Sequence, residues 1–508
     1  MLKALLKRKV SFVFLILQLL LSIGVCSLAV YVGFIPAKFI VPLILVCVVL
    51  LVYQLFSQIA DSSYWIGRVL CLCFCALYIG GSYYMLDTYA TMSDIGGVDT
   101  KVDVISFYVL KDDKAQSIVD AKDYDFGILT TQDRENTDKS LADAKKTVGQ
   151  DLKVIEFMDT NTLVDALYAG EVKVIILNEA FLNPVVDQYK TFKKDTRKLV
   201  QHEIETKVEE QTYEDTDVTT KPFNVYISGI DLYGKISQTS RSDVNIIATV
   251  NPLTKKILLT TTPRDYYVPL YGEKGKSVSG GVPDKLTHAG IYGVDCSINT
   301  LEKLYDIDID YYVRVNFTSL KKIVDILGGV EVYSDFDFIS DWGPNGAGTH
   351  YKFKKGLNKV NGKKALAFCR ERHHFENGDF QRGRDHQHMI EAILNKVLSP
   401  AILQDFSSLL KETKKMFQTS MSTKKIVSLC NMQLSDMATW KISYANAGGT
   451  GDNRTTYSIQ STKLWVCIPD YASVNKITKR INKIMSQTPE DVENEKEKKS
   501  QAKPTLEP

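Results

Sequence analysis

Residues Tyr226–Leu270 read YISGIDLYGKISQTSRSDVNIIATVNPLTKKILLTTTPRDYYVPL, and the β-rich runs in and around them set the expected architecture. Asn224–Gly229 forms a first run that leads to Asp231. Asn245–Val250 and Lys256–Thr262 form two more, joined by Asn251-Pro252-Leu253-Thr254, a sequence suited to a turn. Further on, Tyr311–Asn316 is strand-like, Leu320–Leu327 helical, and Gly328-Gly329 breaks the chain before Val330–Tyr333. Met389, Ile390, Ile393, Leu394 and Val397 recur at helical spacing within Arg384–Leu398. Strands and helices in this mixture predict an α/β domain over residues 222–485, with a central mixed sheet flanked by helices.

Arginines and aspartates cluster at the ends of these runs. The groups are Gly229-Ile230-Asp231, Arg241-Ser242-Asp243, Pro263-Arg264-Asp265, and the stretch holding Arg370, Arg372, Asp379, Arg382 and Arg384. Guanidinium groups donate paired, charge-assisted bonds that fit phosphate oxygens. Aspartates beside them suit a divalent metal that bridges such oxygens. One such pair alone reads as a surface ion pair worth about 0–1 kcal/mol. Four groups in one domain argue for a site, although spacing leaves open whether they converge.

Outward toward the N-terminus the composition changes. No Asp or Glu precedes Asp61, and Val10–Ala37, Phe39–Ala60 and Val69–Leu86 carry no charge. A bilayer core needs roughly 20 helical residues, so residues 10–86 predict three transmembrane helices rather than a cleaved leader. Lys3, Lys7, Arg8 and Lys9 lie within or beside residues 1–9, which places that end in the cytoplasm and everything after the third helix outside the cell membrane.

Residues 97–192 alternate strand-like and helix-like runs and predict a small α/β accessory domain without catalytic pairs of its own. Residues 193–221 are charged and read as a solvated linker, and residues 486–508 as a disordered tail. Outside the membrane segments the cysteines are Cys296, Cys369, Cys430 and Cys467, with no zinc spacing. A Cys430–Cys467 bridge and free buried thiols both remain open.

The Tyr226–Leu270 stretch, Asp284–Gly293 (DKLTHAGIYG) and Ala365–Gln387 (ALAFCRERHHFENGDFQRGRDHQ) together resemble the LytR-CpsA-Psr family of bacterial cell-wall proteins. The three N-terminal crossings are similar to its capsule-locus members in Gram-positive cocci. The resemblance implies a phosphotransferase that moves a glycan polymer from a polyprenyl pyrophosphate carrier to peptidoglycan, with Mg²⁺ or Mn²⁺. It implies that Asp231 and Asp243 hold the metal and that Arg264, Arg370 and Arg372 clamp the transferring group. Asp265 would orient or deprotonate the acceptor hydroxyl. Arg241, Lys285, Asp379, Arg382 and Gln387 would bind the pyrophosphate. Relatives commonly carry Gln where this chain has His386, with Gln387 next, so either side chain is open for that role.

Net charge is only +2, from 62 Lys and Arg against 60 Asp and Glu, which argues against a nucleic-acid partner. The basic residues before the first helix could touch phosphates but could not read bases. Two alternatives to an enzyme are a membrane-integral regulator and a scaffold for other capsule-synthesis membrane proteins. The short basic stretch before the first helix weighs against the regulator, and the Arg/Asp groups against the scaffold.

Overall fold

The computed structural model describes residues 9–33, 35, 37–59, 64–93, 100–207, 217–230, 236–341, 350–376, 378–399, 413 and 416–494. Helices α1 (Lys9–Tyr31), α2 (Ala37–Ile59) and α3 (Tyr64–Ser93) form the N-terminal part. Within them Val10–Tyr31, Lys38–Ile59 and Trp65–Asp87 are each long and apolar enough to cross a membrane. Side chains such as Leu20, Val41, Leu45, Phe56 and Leu77 are exposed on their outer faces. An apolar surface of that kind is stable against lipid rather than water.

The small domain is a five-stranded sheet of β1 (Thr100–Leu110), β2 (Asp125–Leu129), β3 (Lys153–Phe157), β4 (Val174–Asn178) and β5 (Thr196–Lys207). Strand order is β3-β2-β4-β1-β5, with β2 parallel to its neighbours and β1 antiparallel to both of its own. Alternation along β1 feeds two cores. Ile105, Phe107 and Val109 pack with Ala144 of helix Arg134–Val148, while Tyr108 packs with Leu163, Val164 and Leu167 of helix Thr160–Ala169.

β5 corrects the linker reading of residues 193–221. Its polar residues fall on alternate positions: Gln201, Glu203 and Glu205 are exposed, while Val200, His202 and Ile204 are half-buried. Half-buried edge strands alternate in this way. Their signal is lost when charge is averaged over the segment. The tail reading also changes at its start. Residues 489–494 are helical, with Thr488 and Asp491 bonding reciprocally to each other's backbone N–H. Residues 495–508 lie outside the described ones.

In the large domain, β6 (Phe223–Ile230), β7 (Ser242–Asn251) and β8 (Lys256–Thr261) form an antiparallel meander at the centre of a six-stranded sheet. The Asn251 side chain accepts from Leu253 and Thr254 N–H at 3.1 Å each, closing the β7–β8 turn expected from the sequence. Strand Tyr311–Asn316 joins β6 in parallel, strand Phe417–Thr419 lies beyond it, and Lys441–Asn446 adds in parallel to β8. The sheet is therefore mixed.

Its two faces have different neighbours. Tyr226, Ile247 and Leu258 pack into a core with helices Val294–Tyr305 and Tyr471–Ser486. The opposite face, with Val225, Ala248 and Ile257, turns toward helices Phe317–Ile326, Gly378–Val397 and Thr423–Asp436. That second face is not filled.

The two domains are stitched along one seam. Thr239 Oγ1 donates to Asp103 at 2.7 Å, and Asn161 Nδ2 to Thr462 at 2.9 Å. Buried Asp159, the N-cap of helix Thr160–Ala169, accepts Gln460 N–H at 2.8 Å and Ser461 N–H at 2.7 Å from the large domain. All nine cysteines are free thiols, so Cys430 and Cys467 are not bridged.

Candidate active site

A cavity of about 730 Å³ lies between the sheet's second face and its helices. Its floor is Val225, Ile227, Val244, Ala248, Val250 and Ile257, and its roof includes Met389, Ile390, Ile393 and Leu394. Strand register orients it. Ile230 pairs with Ser242 at one end of β6, and Phe223 pairs with Val250 at the other, roughly 23 Å away. Asp243, Arg241 and Arg264 stand at the first end; Trp440 and the residues of helix Thr423–Asp436, Leu429 and Met432, stand at the second. The cavity is thus a long apolar slot with a charged mouth.

Five arginines line that mouth: Arg241, Arg264, Arg370, Arg372 and Arg382. Arg264 is the hub. Its Nη1 donates to Asp243 Oδ2 at 2.7 Å, and its Nε reaches Asp379 at 3.3 Å and Asp265 at 3.4 Å. Arg382 pairs with Asp379 at 3.2 Å. The Arg370 guanidinium lies 4.5 Å from the centroid of Phe317, the first residue of helix Phe317–Ile326, capped by Asn316. Arg241 Nη1 donates to Asp187 Oδ2 at 2.9 Å, so the small domain contributes a carboxylate to the mouth.

Gly290 lets this geometry form. A Cβ there would lie 2.6 Å from Ser242 N and 2.7 Å from Ser240 O, so only glycine permits the Leu286–Ala289 turn to press on the start of β7. That approach carries Thr287 Oγ1 to Asp243 Oδ1 at 2.9 Å. Beside it, Lys285 Nζ reaches Asp265 Oδ1 at 2.9 Å.

Electrostatics follow from these contacts. Burial alone would raise the Asp243 carboxyl, but Arg264, Arg241 and Arg382 outweigh it and hold it well below the usual range. Burial opposes ionisation of Asp379 too, and Arg382 with Arg264 lowers it. Burial and the neighbouring Arg264 pull the Arg382 guanidinium down, an environment that favours an added anion. Burial and Arg382 lower His386 to about 4. The imidazole is therefore neutral near pH 7, and its Nε2–H donates to Cys369 O at 2.8 Å.

The sequence-derived residues separate into three groups. Arg241, Asp243, Arg264, Arg370, Arg372 and Arg382 converge on the mouth, with His386 beside them. Asp265 and Asp379 stand behind as partners of Arg264, and Lys285 pairs with Asp265. Asp265 is held between Lys285 and Arg264, which leaves it poorly placed to take a hydroxyl proton. Gln387 is a correction: its Nε2 donates to Leu259 O at 3.0 Å and Ala445 O at 2.9 Å. It crosslinks β8 to strand Lys441–Asn446 within the core, away from any anion. Asp231 lies outside the described residues. Of the apolar residues between 320 and 330, Leu320 and Ile323 line the slot, while Val324, Leu327 and Val330 belong to a separate core.

Among the described residues, Asp243 is the mouth carboxylate best placed for a hard cation. Each of its oxygens takes one protein donor and retains a second lone pair. Mg²⁺ commonly takes one or two carboxylates and fills its other positions with water and substrate phosphate, so these residues fit that ion.

A sequence model of the LytR_cpsA_psr family matches residues 185–483. The chain belongs to this family. The match begins just before Asp187 and ends within helix Tyr471–Ser486, so it takes in the slot and its mouth. Among curated relatives, the polyisoprenyl-teichoic acid–peptidoglycan teichoic acid transferase TagU of Bacillus licheniformis is 35% identical over 202 residues, 40% of this chain and 60% of that protein. Biofilm regulatory protein A of Streptococcus mutans is 33% identical over 208 residues, 39% of this chain and 50% of that protein. The chain thus spans about half to 60% of the length of these relatives. Among solved structures, B. subtilis TagU is 28% identical with a TM-score of 0.40, covering 53% of this chain and 98% of that one. B. subtilis TagV is 25% identical with a TM-score of 0.44, covering 53% and 99%.

Proposed function

We propose that this family member is a membrane-anchored phosphotransferase that moves a glycan polymer, capsular polysaccharide in the first instance, from polyprenyl pyrophosphate to peptidoglycan. The observation that carries this reading is an apolar slot roughly 23 Å long that ends in five arginines. Few ligands combine a long hydrocarbon tail with a head of several negative charges, and an isoprenoid pyrophosphate does. The named activity of the B. licheniformis relative supports a transfer to peptidoglycan.

The anchor supports the same reading. Lys38 Nζ donates to Ser435 O, and Asn431 Nδ2 donates to Gly33 O. These contacts join helix Thr423–Asp436, at the apolar end of the slot, to the start of α2 and the connection that precedes it. A tail leaving the outer leaflet would enter there. Tethering also raises the effective concentration of the domain at its donor. The body then lies outside the cell membrane of a Gram-positive bacterium, with the N-terminus in the cytoplasm.

In the transfer, an acceptor hydroxyl oxygen forms a bond to the glycan-side phosphorus. The bridging P–O bond breaks, polyprenyl phosphate leaves with its electron pair, and the hydroxyl proton passes to solvent at the mouth. Arg370, Arg372 and Arg382 bind and orient the phosphate oxygens, and Arg264 keeps Asp243 ionised and fixed. Asp243, with Asp231, would hold Mg²⁺, which when bound supplies charge neutralisation on the phosphates.

Native mass spectrometry of the full-length protein in detergent tests this, with polyprenyl pyrophosphate and the uncharged polyprenol compared as ligands. One pyrophosphate lipid should bind per chain, and Arg370→Ala/Arg372→Ala should lose it. Equal binding of the two lipids, or undiminished binding by the variant, would overturn the reading.

A further inference from the structure

Helix Gly378–Val397 carries a second polar group beside the face that lines the slot. Gln381, Asp385 and His388 share one stripe at i, i+4 and i+7. That stripe packs toward strand Val330–Ser334, which is followed directly by Asp335. One ligand atom from each of Asp335, Asp385 and His388 lies within 4.8 Å of the other two. Gln381 Nε2 steadies the two acids, donating to Asp335 Oδ2 at 2.9 Å and Asp385 Oδ1 at 3.1 Å.

The group is incomplete as it stands. Asp385 is 1% exposed and His388 is 9% exposed, yet Asp385 Oδ2 and His388 Nδ1 have no hydrogen-bond partner. A buried polar atom without a partner costs about 1–3 kcal/mol, more for a charged group. The His388 ring is fixed edge-on between Tyr333, at 5.5 Å, and Tyr444, at 5.3 Å.

We infer that Asp335, Asp385 and His388 form a divalent-metal site, separate from the arginine mouth. Two carboxylates with an imidazole suit Zn²⁺ or Mn²⁺ better than Mg²⁺ or Ca²⁺, which prefer all-oxygen ligands. Ligands on a tetrahedral ion with bonds of about 2.1 Å are about 3.4 Å apart. Side-chain rotation that draws the three atoms together by up to about 1.4 Å would therefore close the site. The ion would tie the end of strand Val330–Ser334 to the helix that carries Arg382 and His386 into the mouth. Its role is positioning. A second trio, Asp341, Glu371 and His374, offers no such opening. The Glu371 carboxylate already accepts N–H bonds from Asp341, Arg372 and His373 at 2.6, 2.9 and 2.9 Å.

The test uses the full-length protein in detergent, stripped with EDTA and dialysed against Zn²⁺ or Mn²⁺, with bound metal counted by mass spectrometry. One ion per chain should remain in Asp243→Asn, and at least that one in the wild type, whose mouth can hold a second. Asp385→Asn and His388→Gln should each weaken binding by about 100-fold or more. Metal-free Asp385→Asn should melt above the metal-free wild type and gain nothing when metal is added. Should either variant fail to fold, pulsed EPR of the Mn²⁺-loaded wild type must still detect modulation from a histidine nitrogen. No stoichiometric ion, an ion lost in Asp243→Asn but kept in the two pocket variants, or no nitrogen modulation would overturn the site.

Discussion

Arg241 of the large domain donates to Asp187 of the small domain at 2.9 Å, across the mouth of the slot. The carboxylate occupies one edge of a guanidinium that a phosphate would use. Asp187 is 65% exposed in this pair, so the contact is worth no more than about 1 kcal/mol. Asp187→Ala should leave the melting temperature within about 2 °C of wild type while lowering KM for the pyrophosphate donor several-fold. A raised KM would mean that the small domain orients Arg241 for the donor rather than competing with it.

Arg264 and Arg370 should behave differently when truncated. Arg264 contacts Asp243, Asp265 and Asp379. Arg264→Ala leaves buried and half-buried charges without their shared partner and should cost about 3–5 kcal/mol of stability as well as activity. Arg370 rests on Phe317, and Arg370→Ala should cost about 1 kcal/mol while still removing transfer. Urea unfolding beside a transfer assay separates the two effects.

The slot itself can be closed. Ala248 lies on its floor, so Ala248→Phe would place a ring in a space otherwise open to the tail. The added apolar contact should hold or raise the melting temperature, because it fills a void rather than a packed core. Binding of a long polyprenyl donor should fall at least tenfold, and that of a short-chain analogue much less. Equal losses for both chain lengths would exclude the slot as the tail site.

Asp159 gives a pH signature of the domain seam. Burial alone would raise its carboxyl, but N–H donors from Thr162, Ser461 and Gln460 lower it below its ordinary value. A depressed folded value means that its stabilisation is fully present above the unfolded value near 3.9 and is lost as pH falls through the folded value. Asp159→Asn should therefore be destabilised at pH 7, by about 1.5–3 kcal/mol, and approach wild type as pH falls below the unfolded value and through the folded one. Thermal unfolding across that range measures the convergence.

Much of this organisation could be read from the chain. The β7–β8 hairpin, the helix bearing Arg382 and His386, and the three apolar helices all follow from local periodicity and turn chemistry. β5 did not, since its inward residues gain meaning only once β1 lies beside them. Asp187 carried no local signal, because its partner is 54 residues away. Gln387 departs from its expected role for the same reason. Its sequence neighbours suggest an anion site, while the helical turn points it at the carbonyls of Leu259 and Ala445. Thr287 was overlooked although it sits within the Asp284–Gly293 segment, because only the close approach permitted by Gly290 brings it to Asp243.

The most direct measurement follows the phosphorus. A donor carrying ³²P in the glycan-side phosphate is given to the full-length protein with peptidoglycan acceptor. The proposed phosphotransfer sends the label to peptidoglycan together with the glycan, with unlabelled polyprenyl phosphate released, and Arg370→Ala/Arg372→Ala abolishes both. Label that stays with the lipid while glycan reaches the wall, or transfer that persists in the variant, would contradict the account.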